Sequence, residues 1–578
     1  MAGLREDGTA AFAEPSAACY AGTARADITP PVGIYTRMWG AALHDCATAV
    51  HRPLVATALA LAASEGAPPR VILTLDLCVM GAEEVMEVMS AVRGEVDLLE
   101  EHQLVVTMSH THSGSAILSR QAAFAELPGG QFIGPYLDTV ISASADVARR
   151  AVDALAPAWV TSARGSCDLA CNRDTWDSKG VATAPPGAGT SSEHVEASTM
   201  PGQWVCGYGA DSVQGPADDT LMVARICRRL PEGPGAGGPT QQPDHSGKTL
   251  AHGVSVPGTE DAEVIGILFN YGCHPTSLGP GNMHISPDYI GAARELVEEQ
   301  FGGHAIFLQG ASGDTGPMIS YAADPAAADR NGRILGYAAC SAIAGMLPPG
   351  TGMSFDGAIV SGATLAGWRE TAQVPLQLLR SEVMTIQLPL APQMSLAGLQ
   401  EEFERAEQLA SDTLVEGGEA SVAYRDARAI SERWRRSISK QQTKALFVTG
   451  PVGGGDGHFA AHVTLMQLGA IFLVALPGEP YQVLQQMIRD KVAAEGGVKD
   501  AVFVAELCNH SSLDLGYILP SDKVGCGTYQ DELMSVKAGS LEMVADRVSA
   551  MILLWHREAG RAVVAVQEEP VEVEVARL

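Results

Sequence analysis

Two histidines stand two residues apart at the end of an apolar, β-branched run. The stretch from 105 to 114 reads VVTMSHTHSG, so His110 and His112 follow a segment typical of a buried strand. Alternate residues of a strand point to the same side, so this spacing predicts that both imidazoles share one face. Two imidazoles placed in this way suit one metal ion or one substrate. The pair also fits two solvated residues at a strand end, so its meaning depends on the rest of the chain.

Three further apolar runs end in residues that could complete such a site. VIGILFNYGCHPTSL delivers His274 to a polar turn, and AIFLVALPGEP carries Glu479 next to its last residue, before a helical segment. AVFVAELCNHSSLDLGYILPSD passes Tyr517. Histidines and a carboxylate from separate strand ends match the ligands of catalytic zinc, with one position left for water. Each residue alone also has a structural explanation, as a core histidine, a glutamate near a helix start or a packed tyrosine.

Composition narrows the class of protein. The 578 residues suffice for more than one domain, and the net charge of −29 disfavours nucleic acid and anionic membranes as partners. The longest apolar runs reach only about half the length of a membrane-spanning helix. Residues 1–20 lack the pattern of a secretory signal, and the eleven cysteines show no paired spacing. We therefore expect a cytoplasmic protein with a small-molecule substrate and no nucleic-acid or membrane partner, whose oligomeric state, homo-oligomer included, is open.

Strand-like and helix-like runs alternate along the chain, which predicts an α/β fold with a layered α+β arrangement. Stretches rich in Ser, Gly and Pro at 176–217 and 231–259 predict loops. Charged residues at helical spacing predict an inserted helical hairpin at 396–440. The predicted division of the chain is an N-terminal tail (1–19), a first catalytic part (20–395), the helical insertion (396–440), a second catalytic part (441–560) and a C-terminal tail (561–578).

Five motifs, in order, resemble those of the neutral ceramidase superfamily of zinc amidohydrolases. They are SHTHSG, CHPTSL, GASGDTGP, LPGEP and GYILPS, and the segments AGTARADITPPVG and HRPLVATALAL add to the match, which runs from about residue 20 to about residue 535. The resemblance implies a ceramidase-like catalytic domain with strands that end at a zinc site. The zinc ligands that it implies are His110, His274, Glu479 and Tyr517. The residues that it implies beside the metal, to polarise the substrate carbonyl group or stabilise the oxyanion, are His112, Arg173 and Tyr529.

The resemblance departs from the family pattern in two places. Where the family has a serine beside zinc, in a GD-x-S-P-N segment, this chain has Gly316. Neither Ser312 nor Thr315 is expected to replace that serine, because a shift of one residue turns a side chain to the other face. The chain ends soon after Tyr529, so the immunoglobulin-like C-terminal domain of ceramidases is not expected. We therefore expect a divergent member that cleaves an amide or ester of a soluble molecule with water activated by zinc.

The residues leave two other functions open. A tyrosine that leaves the metal could serve as the base of a metal-dependent lyase. Loss of the serine also fits a family member that binds zinc or a ligand without turnover. Also open are the substrate, the physiological metal and the roles of Asp76 and Asp314, which could orient the histidines from behind.

Overall fold

The fold has four layers, in which two β-sheets packed face to face lie between two layers of helices. The computed structural model describes residues 3–4, 10–40, 42, 44–115, 117–120, 122–177, 203–207, 217–229, 263–373, 375–419, 421–444, 446–449, 457–496, 499–509 and 512–568. This layered mixture of helices and sheets confirms the α/β class that the alternating runs predict.

The larger sheet, here the central sheet, has eight strands. In spatial order they are His304–Gln309, Val264–Tyr271, Thr220–Arg228, Ala156–Ser166, Ser16–Asp27, Val55–Ala62, Arg70–Leu75 and Leu104–Met108. The outermost pair on each side is parallel and the inner pairs are antiparallel. Both outer strands are apolar and buried along almost their whole length, as expected for strands covered on both faces.

The smaller sheet, here the second sheet, has five strands. They are Leu379–Pro389, His458–Leu468, Ile471–Ala475 and Val502–Ala505 in that order, with Val448–Thr449 paired to His458–Leu468. A further sheet contains Gly3–Leu4, Ala10–Phe12, Thr351–Ser361 and Ala363–Ala372. Short two-stranded pairs are Ala170–Asn172 with Thr315–Pro317, Asp174–Asp177 with Gln203–Cys206, Ala49–Val50 with His284–Ile285, Val79–Met80 with Ile117–Leu118, and Glu479–Pro480 with Tyr517–Ile518.

Helices cover the outer faces of both sheets. The central sheet is covered by Ala82–Glu95, Ile133–Asp153, Tyr289–Phe301 and Ala326–Ala344. The second sheet is covered by Val483–Ala494 and Ser540–Glu568. Shorter helical segments are Glu101–Gln103, Ala122–Ala125, Gly130–Phe132, Lys499–Ala501, Ser512–Leu515 and Tyr529–Leu533. Side chains such as Leu268, Leu473 and Phe503 fill the layer between the sheets.

Two helices, Leu396–Gly417 and Val422–Lys444, occupy the segment for which the sequence predicts an inserted hairpin. We call this pair the helical hairpin. The strand that begins at Ser16 and the helix that ends at Glu568 both extend into the predicted tails. The predicted loop at 231–259 lies outside the described residues, and so does most of the one at 176–217. Among the described residues, no helix combines the length and the apolar character needed to cross a bilayer.

Candidate metal centre

Three atoms that could bind a metal ion, one each from His110, His274 and Glu479, converge beyond the ends of three strands. These residues follow Leu104–Met108, Val264–Tyr271 and Ile471–Ala475. Nε2 of His110 lies 2.9 Å from Nε2 of His274 and 3.3 Å from Oε2 of Glu479. Nε2 of His274 lies 3.6 Å from the same carboxylate oxygen. Ligand atoms of a tetrahedral zinc ion are about 3.3 Å apart, so the three atoms have the spacing that one ion requires.

The hydrogen bonds of the two imidazoles also favour a cation. Nδ1 of His110 lies 3.0 Å from the carbonyl oxygen of Cys78, and Nδ1 of His274 lies 3.2 Å from that of Ser312. Because a carbonyl oxygen only accepts, each Nδ1 carries the proton and each Nε2 presents a lone pair. Oε2 of Glu479 is buried without a hydrogen-bond donor among the described residues. Two lone pairs and a carboxylate oxygen that face one another fit a divalent cation.

The pKa values of these groups differ although they share one site. Burial lowers the pKa of His110, but the charges of Cys78 and Glu479 outweigh it and raise that pKa well above its ordinary value. Burial and the charge of Arg173 hold the pKa of His274 well below its ordinary value. Burial raises the pKa of Glu479, but the charge of His110 outweighs it and leaves that pKa lowered. The carboxylate of Glu479 therefore favours positive charge beside it, which a metal ion bound between the three groups would supply.

The geometry of the His110–His112 pair differs from the predicted one. The strand ends at Met108, and His110 adopts a left-handed conformation with φ of 65°. Strand alternation is therefore the wrong explanation for the pairing of the two imidazoles. The two imidazoles still lie close together, because the turn brings Nε2 of His112 to 3.3 Å from Nε2 of His110. A left-handed non-glycine residue is uncommon and is often found at functional sites.

His112 differs from the other two histidines at its second ring nitrogen. Its Nδ1 is buried and has no hydrogen-bond partner among the described residues. Its ring lies 5.1 Å from that of Trp39, between centroids. Burial and the charge of His110 keep the pKa of His112 well below its ordinary value, so the imidazole is neutral. Histidine ligands usually donate the second nitrogen to an acceptor, so His112 is better suited to exchange a proton with a substrate.

Arg173 and the two tyrosines line the same site. Nη2 of Arg173 donates to the carbonyl oxygen of Gly313 at 2.7 Å and to the hydroxyl of Tyr517 at 3.2 Å, while its Nε is buried without a partner among the described residues. Tyr517 pairs with Glu479 in a short parallel ladder. Burial and the negative charge of Glu479 raise the pKa of Tyr517 well above its ordinary value. The ring of Tyr529 lies 6.0 Å from that of Tyr517, and the residue as a whole is 44% exposed, so Tyr529 marks the opening of the site.

The hydroxyl groups of Ser312 and Thr315 are already engaged in hydrogen bonds. Oγ of Ser312 lies 2.5 Å from Oε1 of Glu506 and 3.3 Å from Nδ1 of His274. The Ser312 hydroxyl is therefore on the Nδ1 side of this imidazole, whereas Nε2 faces His110. Oγ1 of Thr315 donates to the carbonyl oxygen of Gly272 at 3.1 Å, and both residues are buried. Neither hydroxyl is therefore placed to attack a substrate. Among the described residues, a Cβ atom at Gly316 would come within 4 Å of the hydroxyl of Thr276 alone, at 3.4 Å.

The aspartates considered as supports of the histidines have other partners. Asp76 accepts two hydrogen bonds from Arg294, at 2.8 and 2.6 Å. The side chain of Asp314 accepts from the backbone of Gln482 at 2.8 Å, and its carbonyl oxygen accepts from the backbone of Arg173 at 2.9 Å. Asp314 therefore ties the segment of Arg173 to the one that follows Glu479.

Glu506 belongs to the site but was not singled out by the sequence motifs. It is buried, and burial together with the charge of Glu479 raises its pKa to about 8. It accepts from the backbone of Ser312 at 3.1 Å as well as from the hydroxyl, so it supports the residue behind His274. The signal that could have found it is the run VFVAEL, another apolar strand that ends in a carboxylate.

Two solved structures of ceramidase share this fold. The neutral ceramidase from Pseudomonas aeruginosa aligns with a TM-score of 0.57 and 14% identity over 94% of this chain and 75% of that chain. A ceramidase complexed with C2 aligns with the same score and identity over 94% of this chain and 76% of that chain. No family model and no curated protein matches the chain. The likeness confirms the ceramidase-like fold that the motifs imply, and at this identity it shows the fold alone.

Proposed function

We propose that this protein is a zinc-dependent hydrolase that cleaves an amide or ester bond of a soluble small molecule. The observation that carries the proposal is the convergence of His110, His274 and Glu479, with both ligand imidazoles anchored through Nδ1. The likeness to ceramidases, in fold, supports amide hydrolysis as the reaction class. The net charge of −29 supports a small substrate and not a nucleic acid.

The residues around the metal centre have different roles in this proposal. His110, His274 and Glu479 would hold the ion, with Tyr517 as a fourth ligand. Zinc bound there would polarise a carbonyl group and activate water at neutral pH. Arg173 stabilises the oxyanion, because its buried Nε has an N–H to donate and its charge is fixed.

The proton is handled by His112, with Tyr529 at the opening. His112 is neutral, and its Nε2, which lies 3.3 Å from Nε2 of His110, accepts the proton of the attacking water and returns it to the leaving group. Water is the nucleophile because the hydroxyls of Ser312 and Thr315 are held by other groups. No covalent acyl-enzyme is therefore expected.

The test combines metal analysis with a substrate panel of N-acyl amino acids, carboxylic esters and uronates. We expect about one zinc per chain, hydrolysis that a chelator abolishes and zinc restores, and ¹⁸O in the carboxyl product of a single turnover in labelled water. An unsaturated product from a uronate would indicate a lyase instead. Full zinc occupancy with no turnover on any member of the panel would indicate a binding protein.

A further inference from the structure

One helix of the helical hairpin, Val422–Lys444, contacts the loop that carries Trp39. Nη2 of Arg436 donates to the carbonyl oxygens of Arg37 and Met38, at 3.2 and 3.0 Å. These two residues directly precede Trp39, whose ring lies against His112. A Cβ atom at Gly40 would lie 2.7 Å from Cβ of Ala429. The helix therefore packs tightly on one wall of the site.

The same helix contacts the opposite wall. Nζ of Lys440 donates to the carbonyl oxygen of Leu533 at 2.9 Å, and Arg433 forms an ion pair with Glu532. Both partners lie on the short helix Tyr529–Leu533, which begins with the tyrosine at the opening. The helical hairpin thus bridges the two loops that border the site.

Arg436 lies on this helix between Arg433 and Lys440, the two residues that contact the opposite wall. Its charge acts on both His112 and Tyr529, which belong to opposite walls. Its two hydrogen bonds among the described residues both come from Nη2, which leaves Nη1 and Nε for another acceptor. A guanidinium group with free donors is suited to bind a planar anion such as a carboxylate.

The charges around the site favour an anionic ligand. Two guanidinium groups, those of Arg173 and Arg436, act on His112. Both guanidinium groups act at the site in a chain whose net charge is −29. Two guanidinium groups at one site attract an anionic ligand.

We propose that Arg436 is a specificity-determining residue that binds a carboxylate of the substrate, so that the hydrolase acts on molecules with a carboxylate near the scissile carbonyl group. This inference rests on the proposed function. It adds a substrate class and assigns a role to the helical hairpin, which brings Arg436 to the site.

The test uses two hydroxamates that share a metal-binding group. Succinic monohydroxamate carries a carboxylate, and its primary amide does not. Titration calorimetry on the full-length, zinc-loaded protein should show about tenfold tighter binding of the acid, as one charge-assisted contact predicts. Arg436→Gln should remove most of this preference and leave the affinity for the amide unchanged. Arg405→Gln, at an exposed arginine on the other helix of the hairpin, is the matched control and should bind both probes like wild type.

The outcomes separate this inference from the proposed function. Equal binding of the two probes by the wild type, or an unchanged preference in Arg436→Gln, would overturn the role of Arg436 while the metal centre stands. Equal loss of both probes in Arg436→Gln, with zinc retained, would make Arg436 a structural residue and overturn it as well. A wild-type protein that holds no zinc and binds neither hydroxamate would overturn both proposals.

Discussion

At the scale of single residues, the three site histidines are distinguished by their Nδ1 atoms. Those of His110 and His274 face carbonyl oxygens, whereas that of His112 has no partner among the described residues. The first two imidazoles are fixed in one tautomer with Nε2 free to bind a metal. The third is free to change its protonation state. Metal binding and proton transfer should therefore be separable by mutation.

Loss of a ligand should abolish metal binding. Because His110 and Glu479 each supply one of three converging atoms, His110→Ala and Glu479→Ala should each lose zinc and activity together. Elemental analysis after dialysis against a buffer without chelator measures the occupancy. Full occupancy in either variant would remove that residue from the ligand set.

Substitution of His112, the proposed proton carrier, should leave the metal in place. His112→Ala should keep about one zinc per chain and lower kcat by about 10²- to 10⁴-fold, the usual contribution of general acid–base catalysis. Zinc content and steady-state kinetics on the same preparation measure both effects. If His112→Ala lost as much metal as His110→Ala, His112 would be a ligand.

The buried carboxyl of Glu506 should make stability depend on pH. Its pKa is raised to about 8 from an ordinary value of 4.5, so between these values the folded chain holds a proton that the unfolded chain releases. Stability of the metal-free protein should therefore fall as pH rises through this window, by up to about 1.4 kcal/mol per unit. Glu506→Gln should flatten this slope in urea unfolding at pH 6, 7 and 8. The exposed Glu299→Gln is the control, and equal slopes in wild type and Glu506→Gln would contradict the prediction.

At the scale of elements, short pairings position the site. The parallel pair Glu479–Pro480 and Tyr517–Ile518 sets Tyr517 opposite Glu479 in register. The antiparallel pair Ala170–Asn172 and Thr315–Pro317 places Cys171 opposite Gly316. The first of these strands ends directly before Arg173. These pairings involve only two or three residues on each side, too few for a sequence pattern to reveal them.

The helical hairpin and the Trp39 loop are packed too closely at Gly40 to accommodate a larger side chain. Gly40→Ala would place Cβ 2.7 Å from Cβ of Ala429, so one of the two elements must shift. We expect a loss of about 1 to 3 kcal/mol in unfolding free energy and weaker binding of the anionic hydroxamate, with zinc content unchanged. Denaturant unfolding and calorimetry measure these effects.

A compensating substitution makes the test specific. Ala429→Gly restores the space, at a cost of about 1 kcal/mol for glycine within a helix. The double variant should therefore bind the hydroxamate better than Gly40→Ala alone. Strictly additive effects in this double-mutant cycle would show that the two residues are not in contact.

At the scale of the whole molecule, the two sheets share one apolar layer. A cavity of about 40 Å³ lies within it, lined by apolar side chains that include Ala224, Leu268 and Phe503. Each void of this size costs about 1 kcal/mol, at about 24 cal/mol per Å³. Since side chains of both sheets form this layer, a substitution in it should change the free energy of unfolding of the two sheets together.

Filling this cavity should stabilise the fold. Ala224→Val adds two methyl groups at the cavity wall and should raise the free energy of unfolding by up to about 1 kcal/mol. Ala158→Val, in the same layer but away from the cavity, should lower it by about 1 to 3 kcal/mol through overpacking. Denaturant unfolding of both variants provides the comparison. A destabilised Ala224→Val variant would mean that the space cannot take the added groups.

The sequence by itself determined the α/β class, the positions of the strands that lead to the site and, through five ordered motifs, the ceramidase-like fold. Strand periodicity and a residue's type are local properties, so they are readable without a structure. The assignment of His110, His274, Glu479 and Tyr517 as ligands came from the resemblance and stays a prediction, although the first three converge.

Only the tertiary structure decided which groups face one another. The left-handed turn at His110, the placement of Ser312 behind His274 and the partners of Asp76 depend on segments far apart in sequence. The burial of Glu506 and the hydrogen bonds of Arg436 to the loop that carries Trp39 arise in the same way. Such contacts depend on how sheets, loops and the helical hairpin pack in three dimensions, and one sequence carries no local pattern that records this packing.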